Sequence, residues 1–197
     1  QYEAKVQEQA LISLRKAAVK LVISKLKASA LNKAVNASVS SAKKGILDEN
    51  TLTDFLLEYG GDESVVGEAV LFLNKKDLRA IGKIRGTQDK KKVYEIVPDG
   101  SNPNVGIIKD GGLSVKYCIC SELAACVDTA QGSVAIPTMF YGNPQCLELD
   151  LFTDYQVKVS EEFAFTSLMD TILGSVSLGA DVVAKNGFVA LTIPATA

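Results

Sequence analysis

The chain has 197 residues, is 47% hydrophobic and 22% charged, and carries a formal net charge of −2. That is the composition of a globular protein long enough to bury a core in one large or two small domains. It contains no histidine, which removes the imidazole base of Ser-His-Asp and Cys-His sites and the usual ligand of catalytic zinc and non-haem iron.

Charge is segregated along the chain. Residues 1–45 hold nine Lys/Arg against two Glu, a net of +7, and the remainder carries −9. Such asymmetry suits a nucleic-acid surface, a contact between basic and acidic patches of neighbouring copies, or a solvated helix face. No run of eighteen apolar residues occurs, so no membrane-spanning helix is expected. Gln1, Tyr2 and Glu3 do not read as a signal peptide, and a start without Met points to an excised or processed product. The four cysteines are Cys118, Cys120, Cys126 and Cys146. Cys118 and Cys120 sit two apart in a predicted strand and share a face, a spacing unlike the C-x-x-C of redox or zinc sites. Reduced, mostly buried thiols are expected, as in a cytoplasm.

Residues 2–28 are predicted to form one long helix. Leu11, Leu14, Ala18 and Leu21, with Ile12, Val19, Ile23 and Leu26, make two adjoining apolar stripes. Arg15, Lys16 and Lys20 decorate the rest, together with Lys5 and Lys27. The apolar face needs a sheet or another helix to cover it. Residues 33–46 are small, polar and basic and read as a loop or linker. A helix is expected over 49–59, capped by Asp48 and stopped by Gly60-Gly61. Residues 69–74 read as a buried strand, and Asn74 opens a helix over 75–84 with Asp77 in its first turn. Three strands follow within 91–120, joined by turns at Pro98-Asp99-Gly100 and Asp110-Gly111-Gly112. The stretch 121–133 is a short helix or a surface loop. Residues 134–141 form a strand whose Pro137 places it at a sheet edge or a bulge, and a short turn or helix follows Gly142-Asn143-Pro144. A strand over 155–162 leads to a helix over 161–173, capped by Ser160 with Glu161 and Glu162 in its first turn. Two strands around Asn186-Gly187 read as a type I′ hairpin.

No constellation carries chemistry. Gly60-Gly61 and Gly111-Gly112 match neither phosphate-binding loop pattern. Lys90-Lys91-Lys92 has the charge to touch phosphates, but a short charge run of this kind reads first as a solvated turn. Glu161 and Glu162 do not face each other on a helix, so they are not an acid–base pair. No catalytic, cofactor-binding or metal-binding residue is predicted, and no small-molecule substrate.

Several segments, in order, resemble a known family. "VLFLNKKDLRAIGKIRG" (70–86) is an apolar strand ending in Asn that opens a helix. "DGGLSVKYCICSEL" (110–123) is a glycine-led strand, with Ser114 where the family usually has Pro. "MFYGNPQCLELDLFTDYQVKVSEEFAF" (139–165) is a Gly-Asn-Pro turn followed by an acidic strand and helix, and "GFVAL" (187–191) closes the match. This order resembles the major capsid proteins of tailed bacteriophages and prophages, with the Hong Kong ninety-seven type capsid fold.

The resemblance implies an α+β fold with a long spine helix, a peripheral domain of 1–45 plus 140–175 and an axial domain of 46–139 plus 176–197. The family's N-terminal arm and extended loop have no counterpart ahead of the helix. The implied role is a structural head protein, not an enzyme, that assembles with copies of itself as pentamers and hexamers into an icosahedral shell. The shell would form in the bacterial cytoplasm around double-stranded DNA, without reading its sequence and with no membrane partner. Arg15, Lys16 and Lys20 become candidate assembly or DNA-facing residues. No subunit cross-link is expected, because the helix start at Glu161-Glu162-Phe163-Ala164 has no Asn. An encapsulin-type bacterial shell shares the fold. A small cytoplasmic enzyme using Cys or carboxylate chemistry is the reading from a different class, and one abnormally reactive thiol would favour it.

Overall fold

In the computed structural model, residues 2–60, 67–153, 156–160 and 171–196 are described. The predicted long helix is present as α1, Tyr2–Ala28. Ala18, Ile23 and Leu26 are buried, whereas Val19 of the second apolar stripe is 48% exposed. The buried face is therefore narrower than the sequence suggests.

The chain divides into two units, Gln1–Ala28 with Glu148–Asp181, and Ser29–Leu147 with Val182–Ala197. Residues 29–45 and 140–147 thus go with the sheet unit, not with the long helix. In the first unit α1 packs on β8 (Gln156–Ser160) and β9 (Thr171–Ser175), an antiparallel pair. A second ribbon pairs β7 (Leu147–Leu151) with β10 (Leu178–Val182). Strand β9 corrects the helix expected over 161–173 at its C-terminal end, since Thr171 begins extended backbone. The expected helix over 161–170, its acidic first turn and Gly61 lie outside the described residues.

The second unit holds a seven-stranded sheet of order β1-β11-β6-β2-β5-β4-β3. Its strands are β1 (Lys33–Asn36), β2 (Val70–Leu73), β3 (Glu95–Pro98), β4 (Val105–Asp110), β5 (Leu113–Ile119), β6 (Ile136–Gly142) and β11 (Phe188–Ile193). β1 with β11 and β2 with β5 are parallel; the other pairs are antiparallel. Two short helices, α2 (Thr51–Leu57) and α3 (Lys75–Ile81), accompany it.

Burial explains the strand sequences. All six residues of β11 are buried, and five of them are apolar, Thr192 being the exception, as suits a strand covered on both faces. In β5, Val115 and Tyr117 are buried while Ser114 and Lys116 are exposed, the alternation of a strand with one wet face. The core gathers Phe55 and Leu56 of α2, Leu71 and Leu73 of β2, Ile81 of α3, Met139 of β6 and Leu191 of β11.

Two expectations fail for related reasons. Residues 33–36 are a strand, not a linker; their partner Val189–Thr192 lies far along the chain, where no local pattern reports it. Asn186 takes a left-handed φ of 58°, but β10 pairs with β7 and β11 with β1 and β6, so no hairpin forms there. Pro137 lies in an interior strand, and the register against β11 shifts between Leu191 and Thr192. The bulge accommodates its missing N–H. The buried Thr138 hydroxyl donates to the Leu191 carbonyl at 3.0 Å, which satisfies an acceptor at the shifted register.

Candidate functional site

Arg15, Lys16 and Lys20 are all exposed on α1. Lys16 and Lys20, four residues apart, share one helix face, and Arg15 flanks it. The structure brings the three together on two successive turns.

A second basic surface lies in the sheet unit, where the sequence pattern divides it between a helix and a solvated turn. Residues 75–92 contain eight Lys/Arg and two Asp, a net charge of +6. α3 turns Asp77, Leu78 and Ile81 inward; Lys75 and Arg79, one turn apart, are exposed on its outer side, and Lys83 is exposed just past its Gly82 cap. Directly after it, a tight turn exposes Arg85, Lys90, Lys91 and Lys92. The Gly86 N–H donates to the Lys91 carbonyl at 2.9 Å and the Lys90 N–H to the Gly86 carbonyl at 3.1 Å. Lys90 sits at φ 58°, a left-handed conformation that costs a non-glycine residue roughly 1–2 kcal/mol. Glu49 anchors the turn, its carboxylate accepting the Thr87 N–H at 3.1 Å and the Thr87 hydroxyl at 2.9 Å.

The carboxylates of this segment are committed to backbone. Asp77 is 0% exposed, and its oxygens accept the N–H groups of Cys126 at 2.9 Å and Val127 at 3.1 Å. Burial holds its carboxyl above the usual range, against the pull of those two hydrogen bonds. Asn74 caps α3 as predicted, accepting the Lys76 N–H at 3.0 Å, and its amide donates to the Leu123 carbonyl at 2.7 Å. Lys76 reaches Asp128 at 2.6 Å. These contacts staple the 121–130 connection to α3, and that connection is a loop. Asp89 accepts the Lys91 N–H at 3.1 Å. Among the described residues, Lys75, Arg79, Lys83 and Lys90–Lys92 make no ion pair.

Cys118, Cys126 and Cys146 are poorly suited to nucleophilic chemistry. All four cysteines are free. Burial, helped by the nearby Asp77 charge, pushes the Cys126 thiol up to about 11, and burial raises Cys118 and Cys146 as well. An activated cysteine needs the opposite shift. A cavity of about 430 Å³ on the open sheet face is lined by Val97, Val105, Ile107, Tyr117 and Cys118. A larger one, about 620 Å³, is lined by Gly82, Lys92, Tyr94, Ile96 and Lys109. No helix among the described residues is long and apolar enough to cross a membrane.

The long helix with its strand pairs, and the mixed seven-stranded sheet beside two short helices, define the Hong Kong ninety-seven type capsid fold. Solved capsid structures share it. The capsid of an empty GTA particle, computed with C5 symmetry, overlays with a TM-score of 0.71 at 13% identity, covering 98% of this chain and 66% of that one. The capsid of the native GTA particle gives 0.67 at 12% identity, with the same 98% and 66% coverage. A virus-like particle from Pyrococcus furiosus gives 0.55 at 16% identity, over 90% of this chain and 63% of that chain. This chain therefore spans just under two thirds of the length of the capsid chains it resembles. No protein-family model and no curated protein sequence matches it.

Proposed function

We propose that this chain is a structural capsid protein, the major head protein of a tailed phage or prophage. It assembles with copies of itself, as pentamers and hexamers, into an icosahedral shell around double-stranded DNA. The observation that carries this reading is the overlay on the GTA capsid across 98% of the chain at a TM-score of 0.71. The unit built on α1 serves as the peripheral domain with its spine helix, and the sheet unit as the axial domain. Arg15, Lys16 and Lys20 act in assembly or against packaged DNA. Assembly takes place in the bacterial cytoplasm, and the product is a virion shell without enzymatic activity. The raised thiols of Cys118, Cys126 and Cys146 count against cysteine chemistry at those residues.

An encapsulin-type shell enclosing a protein cargo is the second reading, supported by the overlay on a virus-like particle at a TM-score of 0.55. Particles purified from cells producing the intact gene product and its native gene neighbours separate the two. After external nuclease treatment, phage-type shells retain protected DNA, and encapsulin-type shells retain a stoichiometric protein instead. Recovery of neither kind of particle would contradict both.

A further inference from the structure

We infer that the outer face of α3 and the turn after it, Lys75 to Lys92, is a phosphate-binding surface for duplex DNA. The proposal rests on the shell reading only for the source of the DNA; the charge and the geometry stand apart from it.

Three observations converge. First, the density of charge is high, +6 over residues 75–92, within a chain that is net negative. Lys75 and Arg79 are like charges one helical turn apart, an arrangement that weakens an isolated helix. Lys90, Lys91 and Lys92 add a second exposed basic group on the turn that follows α3. Second, the nearby carboxylates hydrogen-bond to backbone and to Thr87 and, among the described residues, form no ion pair with Lys75, Arg79, Lys83 or Lys90–Lys92. Asp77 is buried and holds the backbone of Cys126 and Val127, Asp89 holds the Lys91 N–H, and Glu49 holds Thr87. Among the described residues, Lys76 alone of this segment has its charge met by a neighbour, Asp128. Third, the lysines are presented on ordered backbone. The 86–91 turn is closed by two hydrogen bonds, and Lys90 accepts a left-handed φ of 58°. A Cβ at Gly86 would lie 2.5 Å from an Asp89 oxygen, so a side chain there would press on the carboxylate that holds the Lys91 N–H.

A cluster of exposed cations that form no ion pair among the described residues fits a partner that is itself a regular array of anions. The phosphate backbone of a duplex is such an array, and binding it releases counterions. Phosphate contacts of this kind carry no sequence information, and no aromatic side chain lies in the segment to stack on bases. A single chain makes few contacts, so the site gains strength from repetition in an assembly.

The test uses the intact gene product and a short blunt DNA duplex of random sequence. Duplex binding is followed by fluorescence anisotropy across a salt series, and particle formation by electron microscopy. One variant replaces Arg79, Lys83, Lys90, Lys91 and Lys92 with Gln; a second replaces only Lys90, Lys91 and Lys92 with Gln, in case the first fails to fold; a third changes the four lysines to Arg. The Gln variants should bind about tenfold or more weakly, with the salt slope shallower by about 0.9 for each phosphate that is no longer neutralised. The Arg variant should bind like wild type. Unchanged binding and slope in the Gln variants would overturn the inference. So would failed particle assembly with duplex binding intact, which would make this face a contact between copies. If wild type forms no particles even in the presence of its native gene neighbours but the charge-dependent binding is as described, the shell reading fails and this inference stands.

Discussion

The carboxylate of Asp77, buried at the start of α3, accepts the backbone N–H of Cys126 at 2.9 Å across 49 positions of sequence. Its other oxygen takes the neighbouring N–H of Val127. Asp77→Ala removes both acceptors and leaves two inner N–H groups unpaired, and should cost about 2–5 kcal/mol in urea unfolding. Asp77→Asn keeps one acceptor and should cost less. A reduction below about 1 kcal/mol for Asp77→Ala would show that water replaces the carboxylate freely.

The same residue predicts a pH dependence of definite sign. Burial raises the folded carboxyl above its ordinary 3.8, so the folded state binds this proton more tightly than the unfolded state. Its contribution to stability is fully present below 3.8 and is lost as pH rises through the raised folded value. Wild type should therefore gain stability relative to Asp77→Asn as pH falls from neutral towards 4. Chemical denaturation of the pair at matched pH values measures this, and a relative loss by wild type on acidification would contradict it.

Thiol reactivity separates a shell protein from a cysteine enzyme. With Cys126 pushed up to about 11 and Cys146 also buried, both should alkylate slowly in native protein near pH 8. Cys118 and Cys120 are half-buried and should react first. Non-reducing alkylation in denaturant should label all four. A single thiol reacting far faster than free cysteine would revive the enzyme reading.

Much of the fold is legible in the sequence where contacts are local. The apolar stripes of residues 2–28, the Asn74 cap and the turn at 110–112 each depend on neighbours a few positions away. Pro137 signals its bulge because it lacks an N–H wherever it sits. The misses are long-range. Lys33–Asn36 is short and mostly exposed, with only Val35 half-buried, and is a strand because β11 lies alongside. Asn186-Gly187 looks like a hairpin, but the six buried residues of β11 are held between β1 and β6 instead. At the level of sites, Asp77 reads as a helix-dipole residue because its acceptor role depends on a loop 49 positions away. The basic cluster of 75–92 is hidden by its division between two elements.

Packing predictions concentrate on the sheet. Leu73 is 0% exposed in the core, and Leu73→Ala should cost about 2–5 kcal/mol. Gly106 allows β3 and β4 to approach, since a Cβ there would meet the Val97 carbonyl oxygen at 2.5 Å and the Tyr117 hydroxyl at 2.7 Å. Gly106→Ala should cost about 1–3 kcal/mol. Thermal or urea unfolding reads both, and a neutral Gly106→Ala would mean that the strands separate at little cost.

On α1 the expectation is reversed. Replacing Arg15, Lys16 and Lys20 with Gln should change unfolding free energy by no more than about 0.5 kcal/mol at each exposed position. The consequence should appear in particle yield or in retained DNA, measured separately on the intact gene product. If both match wild type, the helix charge serves only solubility.

The central claim, that this fold builds a shell, is tested most directly by cryo-electron microscopy of the intact gene product produced in bacterial cells. The expected result is closed icosahedral particles, with the sheet unit clustered around the five- and six-fold positions and α1 in the body of the shell wall. A protein that stays monomeric at high concentration, with no particle in the presence of its gene neighbours, would contradict it.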